Sequence, residues 1–248
     1  MVKFRKYEQR IRKYKDKLIK FVTRIGISYS EDFQLVEEEL KKLILPCHLG
    51  IMFYTDFDNN LFKQINFYLN HVFDSFFFDI KDLGQFHFTK DLISKGIKKE
   101  YKEMRRVNDK LITHPTNKFY QVLINKKKEE NLGIIVLLTD LPIYSSSDDN
   151  IIFMFGETHL KHRCCIVSTL KLKEEFYDRH KDDEIFKQRV LKEIIHEIGH
   201  IFIGSSHCER NSCVMKFSED VEDIDKKSYN LCESCKLKLE NIRAEYNF

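Results

Sequence analysis

Residues 196–207 read HEIGHIFIGSSH, placing His196 and His200 four residues apart with Glu197 beside the first and His207 further along. On a helix, positions i and i+4 share a face, so both imidazoles can reach one Zn²⁺. Glu197 is then placed to take a proton from water at that metal. A bare HExxH is only moderately specific, because solvated or core helices carry scattered His and Glu. Here it is followed by Cys208-x4-Cys213-x-Met215 and then by Cys232-x-x-Cys235. That conjunction points to two metal sites. The histidines leave an open position for chemistry, and the four cysteines make a closed tetrahedral zinc site of the kind that contributes folding energy.

Two disulfides are the rival reading of the cysteines. Residues 1–24 are basic but hold no apolar run like that of a signal peptide, and no stretch approaches the length of a membrane span. The expectation is an intracellular protein, cytoplasmic or nuclear, whose thiols stay reduced. Cys47, Cys164 and Cys165 lack partners at ligand spacing and read as buried small hydrophobes.

The motif resembles that of the archaemetzincin family, HExxHxxGxxHC followed by x4, CxM, a spacer of about seventeen residues and CxxC. This chain has HEIGHIFIGSSHC, four residues to CVM at 213–215, and sixteen more before CESC at 232–235. The likeness extends to TDLPIYSSSDDNIIFMFGETHLKHRCCIVSTLKL (139–172), is weaker over 45–130, and does not include the first forty residues. It implies a zinc metallopeptidase acting on peptides or proteins. His196, His200 and His207 would hold the catalytic zinc, Glu197 would be general base, and Cys208, Cys213, Cys232 and Cys235 would hold a structural zinc. Met215 would lie in a turn beneath the metal, a place compatible with ordinary core packing. Cys164–Leu170 would be the strand along the rim of the cleft, where an extended substrate adds its backbone to the sheet. The preceding Glu157, His159 and His162 read as surface loop residues.

One departure bears on the third ligand. Between His200 and the glycine the family has two residues, whereas this chain has Ile201, Phe202 and Ile203. One added helical residue rotates the rest of the segment by about 100°. The expected accommodation is a π-bulge or an early helix end across 201–204 that keeps His207 at the metal. If the insertion instead spoils that ligand, the chain is a catalytically inactive, zinc-stabilised binding module of the same fold.

Composition fits a folded enzyme, with 42% hydrophobic and 33% charged residues. The net charge of +3 conceals an asymmetry: residues 1–24 carry ten Lys or Arg against two acids. Phe4, Tyr7, Ile11, Tyr14, Leu18 and Phe21 make one apolar stripe there, which reads as a helix packed on the body with a solvated basic face. Nucleic-acid binding through this arm and the cysteines is disfavoured, because EDVEDID at 219–225 would repel phosphate. Oligomeric state is not legible.

These motifs need a scaffold, and the pattern supplies alternating elements. Helices are expected over 31–45, Asn60–Asp74, about 92–112, 117–127 and Glu184–Phe202. Strands are expected at Leu49–Thr55, Phe76–Ile80, Phe86–Phe88, Gly133–Thr139, Ile151–Phe155 and Cys164–Leu170. The expectation is an α/β fold with a mixed, twisted sheet and flanking helices, metzincin-like, ending in a zinc-stapled C-terminal subdomain. Residues 1–44 would form a helical extension and 45–248 the catalytic domain.

Overall fold

Gly133–Thr139 is an uninterrupted apolar run, as a strand covered on both faces requires, and in the computed structural model it lies at the centre of the main sheet. The structure describes residues 43–55, 57–89, 99–102, 110–146 and 153–248. The helices expected over 1–24 and 31–45, and nearly all of the 1–44 extension, lie outside these residues.

Strands β1 (Cys47–Phe53), β2 (Phe77–Gln85), β5 (Ile134–Thr139), β7 (Gly156–His159) and β8 (Cys164–Ser168) form one sheet in the order β2-β1-β5-β8-β7. All neighbours are parallel except β7, which runs antiparallel to β8 at the edge. Alternation along β5 divides the core in two. Ile134, Val136 and Leu138 pack with helices α1 (Asn59–Val72), α3 (Asp183–Ile203) and α5 (Glu233–Tyr246), while Ile135 and Leu137 meet Phe119, Tyr120 and Leu123 of α2 (Thr116–Glu129). Each such aliphatic or aromatic side chain contributes about 1.5–3 kcal/mol on burial. A second, small sheet joins β3 (Lys99–Lys102), β4 (Lys110–Pro115) and β6 (Ile143–Tyr144). Among the described residues, no helix is long and apolar enough to cross a membrane.

Helix α3 crosses the sheet against α1, β7, β8 and α5, and touches the short α4 (Val221–Lys226). Its buried Arg189 donates through Nε and Nη2 to both oxygens of Asp225, each at 2.7 Å, and through Nη1 to the Leu172 carbonyl and the Glu174 carboxylate. A bidentate guanidinium–carboxylate pair fixes orientation as well as distance, so α3 is tied to α4 and to the turn before it.

Several expected elements differ. Of the helix expected over about 92–112, residues 92–98 and 103–109 lie outside the described residues, and the rest falls in β3 and β4, paired antiparallel from Lys99↔Thr113 to Lys102↔Lys110. Lys and Glu favour helix locally, but cross-strand pairing decides a segment whose propensity is weak. Phe86–Phe88 is not a strand; Phe88 instead packs against Tyr54 and Phe119. Of the strand expected at Ile151–Phe155, residues 151 and 152 lie outside the described residues, Met154 makes an isolated bridge to Ile143, and the strand begins at Gly156. The rim assignment also shifts: β8 is interior, between β5 and β7, and the edge belongs to β7.

Candidate active site and metal centres

Helix α3 starts at a well-formed cap, where the Asp182 carboxylate accepts from the Glu184 and Ile185 N–H groups and Asp183 and Glu184 face the positive end of the dipole. At its other end the helix carries His196 and His200, both buried, on one face. The nitrogens of His196, His200 and His207 gather within 4.8 Å of one another. His200 Nε2 is 3.0 Å from His196 Nε2, and His207 Nε2 is 3.3 Å from the same atom. Tetrahedral zinc with nitrogens at about 2.0–2.1 Å places those nitrogens about 3.3 Å apart, so the triad has the spacing such an ion needs.

The outer ring nitrogens fix the tautomers. His196 Nδ1 is 2.8 Å from the Val214 carbonyl oxygen and His200 Nδ1 is 2.9 Å from that of Gly204. A carbonyl only accepts, so each Nδ1 carries the proton and each Nε2 presents a lone pair. Two lone pairs 3.0 Å apart repel, and a cation between them removes the conflict. Burial pushes His196 well below the usual imidazole range, brings His200 down to about 4 and lowers His207. The neutral, metal-binding form is thus the one the site favours.

The added residue before the glycine is absorbed without a π-bulge, by a helix end within 201–204. α3 stays regular to Ile203, and the Gly204 N–H donates to the His200 carbonyl as an ordinary last turn. Gly204 then takes φ 96° and ψ −178°, a conformation open essentially to glycine alone, and the chain turns back to bring His207 over the helix.

Glu197 lies on the same helix but turned toward β7. Thr158 Oγ1 is 2.5 Å from its Oε2 and 2.9 Å from its main-chain oxygen. A Cβ at Gly156 would fall 2.5 Å from Glu197 Oε1, so that glycine makes room for the carboxylate. Burial raises the Glu197 carboxyl well above its usual range, against the lowering effect of the Thr158 bond. Beneath the helix, Met215 is fully buried against Gly199, where a Cβ would come 2.3 Å from its sulfur.

The four cysteines converge beyond Met215. Cys208 and Cys232 sulfurs are 3.5 Å apart and those of Cys213 and Cys235 3.8 Å, with all four within 4.8 Å. A disulfide requires about 2.05 Å, whereas thiolates at about 2.3 Å from tetrahedral zinc lie about 3.8 Å apart. The Cys232 N–H points at the Cys213 sulfur, 3.3 Å away. Burial would raise the Cys232 thiol, but hydrogen bonds from the Cys235 main chain and the neighbouring thiols outweigh it and bring it to about 7. Both donor sets fit zinc.

Cys47, Cys164 and Cys165 are buried, and burial pushes the first two thiols up to about 12. Glu157 is not a loop residue: it is buried on β7, with Ser145 Oγ 2.7 Å and the Tyr120 hydroxyl 2.9 Å from its carboxylate. His159 is also on β7, and His162 lies in the 3₁₀ turn after it. Sequence reasoning passed over Gly156, Thr158, Gly199 and the carbonyls of Val214 and Gly204. Only Gly199 had a legible signal, as a glycine inside a helix is costly unless something packs on it.

The sequence model of peptidase family M54 matches residues 92–241. Archaemetzincins similar to this chain include that of Methanocaldococcus jannaschii, 38% identical over 123 residues, 50% of this chain and 66% of that protein. That of Saccharolobus islandicus is 41% identical over 119 residues, 48% of this chain and 62% of that protein. The matched stretch therefore spans just under two thirds of those relatives' length. Among solved structures, the fold is similar to a zinc-dependent peptidase from Methanocorpusculum labreanum, with TM-score 0.59 at 21% identity over 77% of this chain and 99% of that one. It is also similar to an archaemetzincin from Methanopyrus kandleri, with TM-score 0.55 at 21% identity over 79% and 95%.

Proposed function

The chain belongs to peptidase family M54, and from that premise we propose that it is a zinc metallopeptidase hydrolysing peptide bonds in peptides or proteins. His196, His200 and His207 hold the catalytic zinc, Glu197 is the general base, and Cys208, Cys213, Cys232 and Cys235 hold a second, structural zinc. The carrying observation is the pair of Nε2 lone pairs 3.0 Å apart, each turned inward by a carbonyl behind its ring. Zinc, when bound, supplies Lewis acidity toward a carbonyl and makes water more acidic. Three protein ligands rather than four leave the position that catalysis requires.

The chain's own groups perform the rest. Glu197, whose burial raises its affinity for a proton, would as the carboxylate accept the proton of the attacking water and deliver it to the departing amine. The reading is tested by metal analysis and a fluorogenic peptide library on the purified chain and on Glu197→Gln. Two zinc ions in both proteins, with hydrolysis in the first and its loss in the second, is the expected result. Equal hydrolysis by both removes Glu197 from the mechanism.

A further inference from the structure

We propose that Thr158 is the positioning residue for Glu197. The proposal rests on the reading of Glu197 as general base. It starts from the ladder between β7 and β8. The Ser168 N–H donates to the Phe155 carbonyl, and the register runs Gly156↔Val167, Glu157↔Ile166, Thr158↔Cys165. In an antiparallel pair, bonded and non-bonded residues alternate. Phe155, Glu157 and His159 therefore face β8 with their main-chain groups, while Gly156 and Thr158 turn theirs away from it. On the side away from β8, Met154 just before β7 is bridged to Ile143 of β6, and Gly156 and Thr158 are buried. The two residues whose main chain faces away from β8 are thus the two that hold Glu197, one by a hydroxyl and one by the space of a missing Cβ.

The hydroxyl suits both states of the base. To the carboxylate, Thr158 donates its proton at 2.5 Å, the short range of a charge-assisted O–H···O⁻ bond. Once Glu197 carries the proton taken from water, it can donate to Thr158 Oγ1, which redirects its own hydrogen to the Glu197 main-chain oxygen 2.9 Å away. No atom need move more than a hydroxyl rotation. Valine has the same shape and neither capacity, while serine has both.

The test compares Thr158→Val and Thr158→Ser with the unchanged chain by zinc content, steady-state kinetics on a fluorogenic peptide, and crystal structures of the zinc-free proteins. Losing a hydrogen bond to a charged group corresponds to about a 10- to 100-fold change. The expected result for Thr158→Val is kcat lowered by about that factor, KM within about twofold, two zinc ions retained, and the Glu197 carboxylate displaced from β7. Thr158→Ser should restore both kcat and the carboxylate position. An unmoved carboxylate with unchanged kcat in Thr158→Val overturns the proposal, as does loss of zinc from that variant, which would make Thr158 a residue of the fold. If the unchanged chain hydrolyses no peptide, the peptidase reading fails, and the carboxylate position in the two crystal structures still decides whether Thr158 places Glu197.

Discussion

The histidine and cysteine centres lie in consecutive stretches of chain but are held in different ways. His196 and His200 are spaced by a helix that the core would form without metal, and backbone carbonyls already aim their rings. Three of the four cysteines come from connecting segments and helix ends, and the fourth, Cys235, from the first turn of α5. Main-chain bonds from Cys208 N–H to Met215 and from Val214 N–H to Asn230 hold those segments side by side, but no regular element spaces all four sulfurs. A site on a regular element is preorganised, whereas a site on irregular chain depends on its ion for folding energy. The two centres are also linked. The cysteine segment supplies the Val214 carbonyl behind His196 and the Met215 side chain under Gly199.

The sharpest way to break this comparison is to remove a thiolate. Cys232→Ser should lose one zinc and lower the melting temperature by about 10 °C or more, since structural zinc is worth on the order of 10 kcal/mol and a chain of this size shifts by about 2–4 °C per kcal/mol. The remaining zinc should bind more weakly than before. Calorimetry showing an unchanged transition would make the two centres energetically alike. Glu197→Gln probes the other side: hydrolysis should fall by about 10²–10⁴-fold with both zinc ions and the melting temperature preserved. A drop in zinc content would mean that the base also supports the metal.

Gly204→Ala addresses the turn that delivers His207. Placing a Cβ at φ 96° costs about 1–3 kcal/mol, and displacement of the carbonyl behind His200 should weaken the histidine-site zinc by about 10- to 100-fold while the cysteine-site zinc stays, as chelator competition would reveal. Retained affinity at both sites would show that the turn is not what aims the ligand. The smallest effect is expected away from both centres. Arg179 pairs with Glu222 at 2.6 Å on an exposed surface, so Arg179→Ala should change stability by no more than about 1 kcal/mol in a denaturant titration. A larger loss would implicate its link to Glu174, which also holds Arg189.

Residue types and short-range spacing were enough to indicate both candidate metal sets, the helix that carries His196, Glu197 and His200, and the mixed α/β class. Those features depend on a 3.6-residue period, on the ligand chemistry of His and Cys, and on apolar runs such as Ile134–Leu138, all local properties of the chain. The tertiary structure alone decided what surrounds them. It put β7 rather than β8 at the end of the sheet, made strands of 99–102 and 110–115, and chose a helix end at Gly204 over a bulge to absorb the added residue. It also set Thr158 and Gly156 against Glu197, 39 and 41 residues away in the chain. Such contacts join residues with no periodic relation, so their identity follows from how layers pack and not from any pattern in the sequence.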